Sequence, residues 1–258
     1  MFMSILNVNI IPCLSDNYTY LIHDKSTNKV IAVDPPVVEP ITSFLNKSNL
    51  NLDFILSTHH HADHIDGNLE LKKIYNCKII GFEEDSHRIP GIDIKLKNQT
   101  TWKFGNETVK IEHAPGHTAG HVFYHFQRNK LAFVGDIVFP MGCGRIFEGS
   151  AKEMYESVIK IKNLSNDTKI YSGHEYTNSN SKFCLEFDKS NKELSKRSQN
   201  ILSLREENKP TVPTTVQLEK ETNIFFRCDN QDVKNYINMK NAKSEEVFAK
   251  LRELKDNF

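Results

Sequence analysis

Short apolar runs separated by turn residues fill the first two-thirds of the chain and then stop. Bounded runs of this length are typical of β-strands, and they lie at Tyr20–Ile22, Val30–Val33, Phe54–Leu56, Ile79–Ile80, Val109–Ile111, Val122–Phe126, Leu131–Val134 and Ile170–Tyr171. Amphipathic stretches at residues 67–75 and 152–164 predict helices between some of these strands. The pattern predicts an α/β fold in which helices cover sheets.

The strand pattern ends near Glu175, and long charged helical stretches follow it. Residues 192–208 form one amphipathic stretch, Pro210 and Pro213 end it, and residues 245–255 form the last. A length of 258 residues is compatible with one large domain or with a large domain followed by a small one. We therefore expect a catalytic α/β domain over residues 1–175 and a small, mostly α-helical domain over residues 176–258.

Composition excludes several classes of protein. Lys+Arg 33 against Asp+Glu 33 gives no net charge, which argues against nucleic acid or an anionic membrane as a partner but allows a small anionic substrate. No stretch approaches the ~18 apolar residues of a membrane span, and Met1–Leu14 lacks the pattern of a secretory signal. The five cysteines never form a C-x-x-C motif, so we expect a reducing, cytoplasmic location.

A dense cluster of candidate metal ligands follows the run that ends at Leu56. The segment Thr58–His64 reads Thr-His-His-His-Ala-Asp-His. In an extended segment His59 and His61 project to the same side and would hold one ion. Asp63 and His64 fall at the start of the helix predicted for residues 67–75 and would reach a second ion. The alternative is an accidental cluster in a polar loop.

Three more candidates each follow a glycine just past an apolar run, namely His117, Asp136 and His174. Alone, each of these dipeptides is usually a turn, but α/β folds place their sites in loops at strand ends. Imidazoles and carboxylates suit zinc, iron or manganese. Asp136 is the natural bridge, because a carboxylate offers one oxygen to each ion. Two ions sharing a water lower its pKa from about 15.7 toward 7, and the chain has no serine-hydrolase, Walker or dinucleotide motif.

These motifs, in this order and spacing, resemble the metallo-β-lactamase superfamily. The resemblance implies an αββα sandwich with one metal held by His59, His61 and His117. It implies a second metal held by Asp63, His64 and His174, with Asp136 bridging the two. Asp63 and Asp136 would then serve catalysis with a metal-bridging hydroxide, Asp34 would support the ligands, and His60 and His121 would be neighbours rather than ligands.

The rest of the chain resembles one family of that superfamily, glyoxalase II, from end to end. The matching segments are Leu14–Tyr18, Ala32–Pro35, Gly142–Arg145, Gly173–Thr177, Pro210–Pro213 and Arg252–Asp256. In that family the helical domain holds glutathione, which implies contacts from Arg145, Phe147, Tyr176, Arg252 and Lys255. The alternative for Arg252 and Lys255 is a favourable charge at a helix C-terminus. Phe147 departs from the family, because many relatives carry Tyr there, and one hydroxyl contact to the tripeptide is expected to be missing.

The resemblance implies hydrolysis of S-(2-hydroxyacyl)glutathione, chiefly S-D-lactoylglutathione, to glutathione and D-lactate, the second step of methylglyoxal detoxification. The expected cofactors are two divalent metal ions per chain, zinc foremost, with iron or manganese as alternatives. A glutathione thioester is the expected partner, without nucleic acid or membrane, and both a monomer and a weak homodimer remain open. The rival functions are a one-iron persulfide dioxygenase, a lactonase, a tRNA-processing ribonuclease and a metal-stabilised binding module.

Overall fold

The structure is a computed structural model that describes residues 6–258. The first five residues of the predicted catalytic domain lie outside the described part. The chain forms two compact units. One comprises the described residues up to His113 together with Gly120–Gly135, and the other comprises Ala114–Ala119 and Asp136–Phe258.

The first unit contains a sheet whose strands follow one another in chain order. Its strands are β1 (Leu6–Cys13), β2 (Asn17–Asp24), β3 (Lys29–Val33), β4 (Phe54–Leu56), β5 (Lys78–Phe82) and β6 (Ile92–Leu96). Strands β1 to β3 pair antiparallel, and β3 to β6 pair parallel. Strands β3, β4 and β5 are almost entirely buried, which is why they appear in the sequence as continuous apolar runs rather than as an alternating pattern. The edge strand β6 instead alternates between partly buried and exposed residues.

An antiparallel run of strands completes the β-structure of this unit. Its strands are β7 (Thr101–Phe104), β8 (Glu107–His113), β9 (Val122–Phe126) and β10 (Leu131–Gly135), in the spatial order β10-β9-β8-β7. Every residue of β10 is buried. β7 and β8 form one hairpin with a short turn, β9 and β10 form another, and β8 pairs antiparallel with β9 between them.

The helices of the first unit are α1 (Glu39–Ser48), α2 (Ala62–Ile65) and α3 (Asn68–Tyr75). Ile41 and Leu45 of α1 and Leu71 of α3 are fully buried, in one cluster with Val30 and Ile55 of the sheet. This cluster places the polar segment after β4, residues 57–61, at the end of a rigid parallel strand.

The second unit combines short strands with many helices. Its elements are β11 (Val138–Phe139), β12 (Gly142–Cys143), α4 (Ala151–Lys162), β13 (Lys169–Ser172), α5 (Thr177–Phe187), α6 (Lys192–Glu206), β14 (Thr214–Thr215), α7 (Val216–Thr222), a 3-10 turn (Ile224–Phe226), α8 (Gln231–Tyr236) and α9 (Ser244–Asp256). β11 pairs with β12 and β13 with β14, both antiparallel. Stacked and edge-on rings of Phe183, Phe225 and Phe248, with centroids 5.5–6.0 Å apart, fill the centre of the helices.

A buried polar network holds the β11–β12 hairpin against α7. Glu219 is fully buried, pairs with Arg197 at 2.6 Å and accepts a hydrogen bond from the Met141 backbone N–H at 2.8 Å. The Asn223 amide donates to the carbonyls of Phe139 and Gly142. Because each of these carbonyl and amide groups has a partner, the hairpin that follows Asp136 is fixed on both sides.

The division between the compact units differs from the boundary expected at residue 175. Helix α4 belongs with the C-terminal helices, since Tyr155 of α4 and Phe248 of α9 have ring centroids 5.5 Å apart. Sequence patterning cannot show this, because α4 has the same amphipathic period as a helix that covers a sheet. The predicted functional boundary at residues 175/176 stays a prediction.

The predicted α/β fold is confirmed, and all eight predicted strand runs lie in strands. The predicted helices at residues 67–75, 152–164, 192–208 and 245–255 correspond to α3, α4, α6 and α9 within a few residues. Among the described residues, the helices are all too short or too polar to cross a membrane.

Candidate metal centre

The first group of candidate ligands lies in the segment that leaves β4. His59 is buried in this segment, His61 precedes α2, and Asp63 and His64 lie on α2. The expectation that Asp63 and His64 begin the helix of residues 67–75 is wrong. They lie on α2, which ends at Ile65 before α3 starts at Asn68, because the Gly67 N–H donates to Pro35 O at 3.0 Å instead of continuing the first helix.

Asp34, at the end of β3, orients this segment through its carboxylate. Oδ1 accepts from the Thr58 backbone N–H at 2.7 Å, and Oδ2 accepts from the Thr58 hydroxyl at 2.6 Å. His64 Nδ1 lies 3.2 Å from the same Oδ2. A carboxylate only accepts, so His64 carries its hydrogen on Nδ1 and presents the lone pair of Nε2, the atom that a metal would bind.

The Thr58 hydroxyl extends this orientation to His59. It donates to Asp34, so toward His59 Nδ1, at 3.0 Å, it acts as an acceptor. His59 therefore carries hydrogen on Nδ1, and its Nε2 lies 3.1 Å from Nδ1 of His61. The two ring nitrogens converge as the alternation along an extended segment predicts. The candidate ligand atoms of Asp34, His59 and His64 all lie within 4.8 Å of one another.

Asn17, at the start of β2, holds Asp63 in place. Its side-chain amide donates to the Asp63 carbonyl at 2.9 Å and to Asp63 Oδ2 at 3.0 Å. Asp63 Oδ2 in turn lies 3.6 Å from His64 Nε2. A carboxylate oxygen and an imidazole nitrogen that meet at this distance can share a cation.

His60 and His121 lie beside these candidate ligands. His60 Nδ1 is 3.3 Å from Asp85 Oδ2, and its Nε2 is 3.3 Å from Nη1 of Arg88. The ring of His121 is fully buried and stacks on His59 with centroids 4.7 Å apart. Gly135 has φ +48, and a Cβ there would collide with the Thr58 hydroxyl and with His121, so only glycine allows this close packing.

The second group of candidate ligands belongs to the second unit. His117 lies in the loop of residues 114–119, Asp136 precedes β11, and His174 follows β13. Asp136 Oδ2 lies 3.5 Å from His117 Nε2 and 3.3 Å from His174 Nε2. One carboxylate oxygen therefore lies close to two imidazole nitrogens, and the bridging role of Asp136 stays a prediction.

The backbone carbonyl of Arg145 sets the orientation of His117. It lies 2.9 Å from His117 Nδ1, which therefore carries the hydrogen, and the Nε2 of the neutral ring presents a lone pair toward Asp136. Two acceptors that face each other repel unless a proton or a metal ion lies between them. This donor set of neutral imidazoles and carboxylates fits a divalent ion.

Aromatic rings surround the two histidines of the second group. Tyr176 stacks on His174 with centroids 4.8 Å apart and planes 6° apart, and Phe139 meets both rings edge-on. Phe147 meets His117 edge-on at 5.3 Å. Phe147 is 61% exposed and Tyr176 is 39% exposed, so part of each side chain is accessible to solvent.

Three cations approach one another near the end of α9. Arg145 is mostly exposed, with Nε 3.8 Å from Asp256 Oδ1. Lys255 Nζ lies 3.2 Å from the Ser179 hydroxyl and over the rings of Phe183 and Phe258. Burial, followed by the neighbouring charge of Arg252, lowers the pKa of Lys255 from its ordinary value.

Arg252 differs from the solvated helix end that one interpretation of the sequence expected. Its side chain is 6% exposed, and Nη1 donates to the Cys143 carbonyl at 2.9 Å. Nη2 pairs with Asp256 at 2.8 Å. The guanidinium is thus buried among groups of its own chain, and its predicted contact with glutathione stays a prediction.

The cysteines do not supply a nucleophile. All five are buried. Burial raises the pKa of Cys143 to about 11, although Arg252 acts in the opposite direction, and it raises the pKa of Cys184 to about 12. These thiols are neutral at physiological pH and unsuited to covalent catalysis.

Sequence reasoning missed the residues that orient the ligands. Thr58 and the Arg145 carbonyl were not singled out for this role, and Asn17 was noted only within a matching segment. No local pattern marks a hydrogen bond between residues 24 or 28 positions apart, such as Thr58 to Asp34 or His117 to Arg145.

Comparison with known proteins agrees with this geometry. Residues 15–174 match the family model described as metallo-beta-lactamase superfamily, and residues 175–258 match the model described as hydroxyacylglutathione hydrolase C-terminus. The chain is 45% identical to a hydroxyacylglutathione hydrolase of Pelagibacter ubique, over 98% of this chain and 100% of that protein. It is 42% identical to one of Rhizobium etli, over 99% of this chain and 100% of that protein.

Solved structures share the fold at lower identity. ETHE1 from Myxococcus xanthus superposes with a TM-score of 0.68 at 23% identity, covering 96% of this chain and 90% of that one. A metallo-beta-lactamase from Staphylococcus aureus superposes with a TM-score of 0.65 at 20% identity, covering 98% and 72%. The expected fold is thereby confirmed as a metallo-β-lactamase fold followed by a helical C-terminal domain, and the chain belongs to the hydroxyacylglutathione hydrolase family.

Proposed function

We propose that this chain is a metal-dependent hydrolase that cleaves the thioester of S-(2-hydroxyacyl)glutathione, chiefly S-D-lactoylglutathione, to glutathione and a 2-hydroxy acid. Family membership over nearly the whole chain supports the substrate class. The observation that carries the chemistry is the Asp136 carboxylate oxygen between the Nε2 atoms of His117 and His174.

We propose two metal sites with Asp136 shared between them. His59, His61 and His117 would hold one ion, and Asp63, His64 and His174 the other. The hydrogen atoms fixed on Nδ1 of His59, His64 and His117 support this assignment, because each leaves Nε2 available for coordination. Zinc is the first choice, and iron or manganese would accept the same ligands.

When bound, such a pair of ions polarises a thioester carbonyl and lowers the pKa of a shared water toward about 7. The residues of the chain keep this centre organised. The Asp34 carboxylate fixes the tautomer of His64 directly and that of His59 through the Thr58 hydroxyl, and the Arg145 carbonyl fixes that of His117. The orientation is present before substrate arrives, so the ligands need little reorganisation during the reaction.

The leaving group makes a general acid unnecessary. A thiol has a pKa near 8.5, so glutathione departs as a thiolate with little assistance. No buried cysteine competes as a nucleophile among the described residues. A thioester therefore suits this site better than an amide, whose nitrogen needs a proton to leave.

The side chains of the second unit support binding of the glutathione moiety. Arg145 and Lys255 supply positive charge for its carboxylates, and Phe147 and Tyr176 supply exposed ring surface. We propose these residues, with Arg252 beside them, as the substrate-binding set. The monomeric or weakly dimeric state and the cytoplasmic location remain predictions.

The test is hydrolysis of S-D-lactoylglutathione by purified protein, followed by loss of thioester absorbance, with metal content measured on the same sample. We expect turnover and close to two ions per chain. Treatment with a chelator should abolish turnover, and added zinc should restore it. Full activity in a sample that holds one ion would refute the shared role of Asp136, and absence of turnover with bound metal would refute the substrate.

A further inference from the structure

The loop of residues 142–145 contacts both the C-terminal helix α9 and the candidate metal ligands of the second unit. Its far end carries the Arg145 carbonyl that faces His117 Nδ1 at 2.9 Å. In its middle, Gly144 packs so tightly that an added Cβ would collide with the Asp136 carbonyl oxygen and lie 3.3 Å from His117 Nδ1. The Gly144 N–H also donates to Ile137 O at 3.3 Å. Movement of this loop would therefore displace both His117 and Asp136.

Arg252 on α9 donates hydrogen bonds to the same loop. Nη1 donates to the carbonyl of Cys143 at 2.9 Å and lies 3.4 Å from that of Gly144. Nη2 is held by Asp256, one helical turn further on, at 2.8 Å. The guanidinium also lies over the Phe225 ring, 5.6 Å from its centroid. A planar group with several fixed donors can hold two successive carbonyls in a way that a point charge cannot.

We propose that Arg252 is a positioning residue that sets the His117 and Asp136 ligands through the loop of residues 142–145. This assignment rests on the proposed metal-dependent hydrolysis and adds a role to a residue otherwise expected only to contact substrate. The side chain is 6% exposed, and its Nη1 and Nη2 atoms donate to the Cys143 carbonyl and the Asp256 carboxylate, which favours action on the loop over action on a ligand in solvent.

The two roles predict different kinetics. A residue that only binds the remote end of the substrate changes KM and leaves kcat and metal affinity unaltered. A residue that orients metal ligands changes metal affinity and kcat, typically by about ten- to a hundredfold. Zinc affinity can be measured by chelator competition on apoprotein without any substrate, so it separates the two roles independently of hydrolysis.

The experiment compares Arg252→Met, Arg252→Lys and the control Lys255→Met. Lys255 lies on the same helix and carries the same charge, but its Nζ contacts Ser179 rather than the loop. We expect Arg252→Met to weaken zinc binding about ten- to a hundredfold and to lower kcat. Arg252→Lys, which keeps one donor in reach of the Cys143 carbonyl, should lose less of both. Lys255→Met removes a cation of the proposed substrate-binding set, so it should raise KM, and it should keep the zinc affinity of the original protein.

Thermal unfolding of each variant checks that the protein is folded. If Arg252→Met does not fold, the zinc affinities of Arg252→Lys and Lys255→Met are compared instead. A partial loss of zinc affinity in Arg252→Lys, without a loss in Lys255→Met, would support the inference. Unchanged zinc affinity and kcat, with a raised KM, in the folded Arg252 variants would overturn it. If the original protein binds zinc but hydrolyses no thioester, the proposed substrate fails, and the zinc affinities still decide the role of Arg252.

Discussion

The candidate ligands of the first unit are oriented by a side chain, whereas those of the second unit are oriented by backbone and rings. The Asp34 carboxylate faces His64 directly and reaches His59 through the Thr58 hydroxyl, so one buried carboxylate orients two candidate ligands. His117 instead faces the Arg145 carbonyl, and His174 stacks on Tyr176. A side chain that orients a ligand can be removed by one substitution. A backbone carbonyl stays in every variant, so its position can be changed only by changing the residues that hold its loop.

The largest expected effect is that of Asp136→Asn. The amide loses the charge that the carboxylate places between His117 and His174. We expect kcat to fall by more than the about hundredfold that is typical when a residue only orients a ligand. Turnover of S-D-lactoylglutathione and elemental analysis of the purified variant measure the effect. Near-normal turnover with two bound ions would show that Asp136 is not shared.

Asp34→Asn tests the side-chain orienter of the first unit. The amide keeps one acceptor oxygen but places an NH2 group, which only donates, where the second oxygen was. The Thr58 N–H, the Thr58 hydroxyl and His64 Nδ1 can then no longer all donate to residue 34, and the tautomers of His64 and, through Thr58, of His59 are no longer fixed. We expect a loss of about ten- to a hundredfold in zinc affinity and in kcat, with KM little changed. Chelator competition on the apoprotein and initial rates give the two quantities.

A matched control for Asp34 is Asp53→Asn in the same unit. Asp53 Oδ2 accepts from the Val30 backbone N–H at 2.9 Å and therefore also bridges two strands through a carboxylate. This change should lower thermal stability, since a backbone hydrogen bond is weakened, and leave zinc affinity unaltered. An equal loss of zinc affinity in both variants would mean that Asp34 acts only through the stability of the fold.

The contrast between the units also explains what the sequence could predict. The first-unit ligands fall within Thr58–His64, so strand alternation alone indicates that His59 and His61 share a side. The second-unit ligands are single residues scattered over 58 positions. Their grouping rests on their shared placement just past apolar runs, and the resemblance implies which ion each would hold.

The orienting contacts could not be predicted in either unit. Arg252 contacts Cys143, which lies 109 positions earlier in the chain. Arg252 and Lys255 are three residues apart near the end of a helix, and this sequence pattern is typical of a solvent-exposed helix face. Its burial depends on how α9 packs against Phe225 and on the course of the β12 loop, which are tertiary features without a local signature. Asp34 was assigned from family likeness, and only the structure gives its partners.

Lys255→Met tests charge in the second unit without disturbing the ligands. A half-buried cation that meets a carboxylate is worth between about 1 kcal/mol for an exposed pair and about 3 kcal/mol for a charge-assisted hydrogen bond. We therefore expect KM for S-D-lactoylglutathione to rise by about five- to a hundredfold while kcat stays constant. Steady-state kinetics at low and high salt provide the measurement, because salt should mimic part of the effect.

The pH dependence of KM sharpens this prediction. Burial and then Arg252 lower the pKa of Lys255 below the ordinary 10.5, so its charge is lost at lower pH than that of an exposed lysine and KM should rise there. In the interval between the folded pKa and 10.5, the unfolded chain binds more protons, so stability rises with pH. Both trends should vanish in Lys255→Met. A KM that rises at the same pH in that variant would assign the titration to another group.

The smallest expected effect is a gain, and it comes from Phe147→Tyr. The Phe147 ring meets His117 edge-on at 5.3 Å and is 61% exposed, so a para hydroxyl has room at its rim without entering the core. A hydroxyl at this rim would add one hydrogen bond to the bound tripeptide. An exposed neutral hydrogen bond contributes about 0.5–1 kcal/mol, which corresponds to a KM lowered about two- to fivefold. Because Phe147→Tyr keeps the ring contact with His117, kcat and zinc affinity should not change. Phe147→Leu, which keeps an apolar side chain without the ring, serves as the control for the contribution of the ring. A lower kcat in Phe147→Tyr would show that the ring orients His117, adding a side chain to an arrangement otherwise attributed to the Arg145 carbonyl.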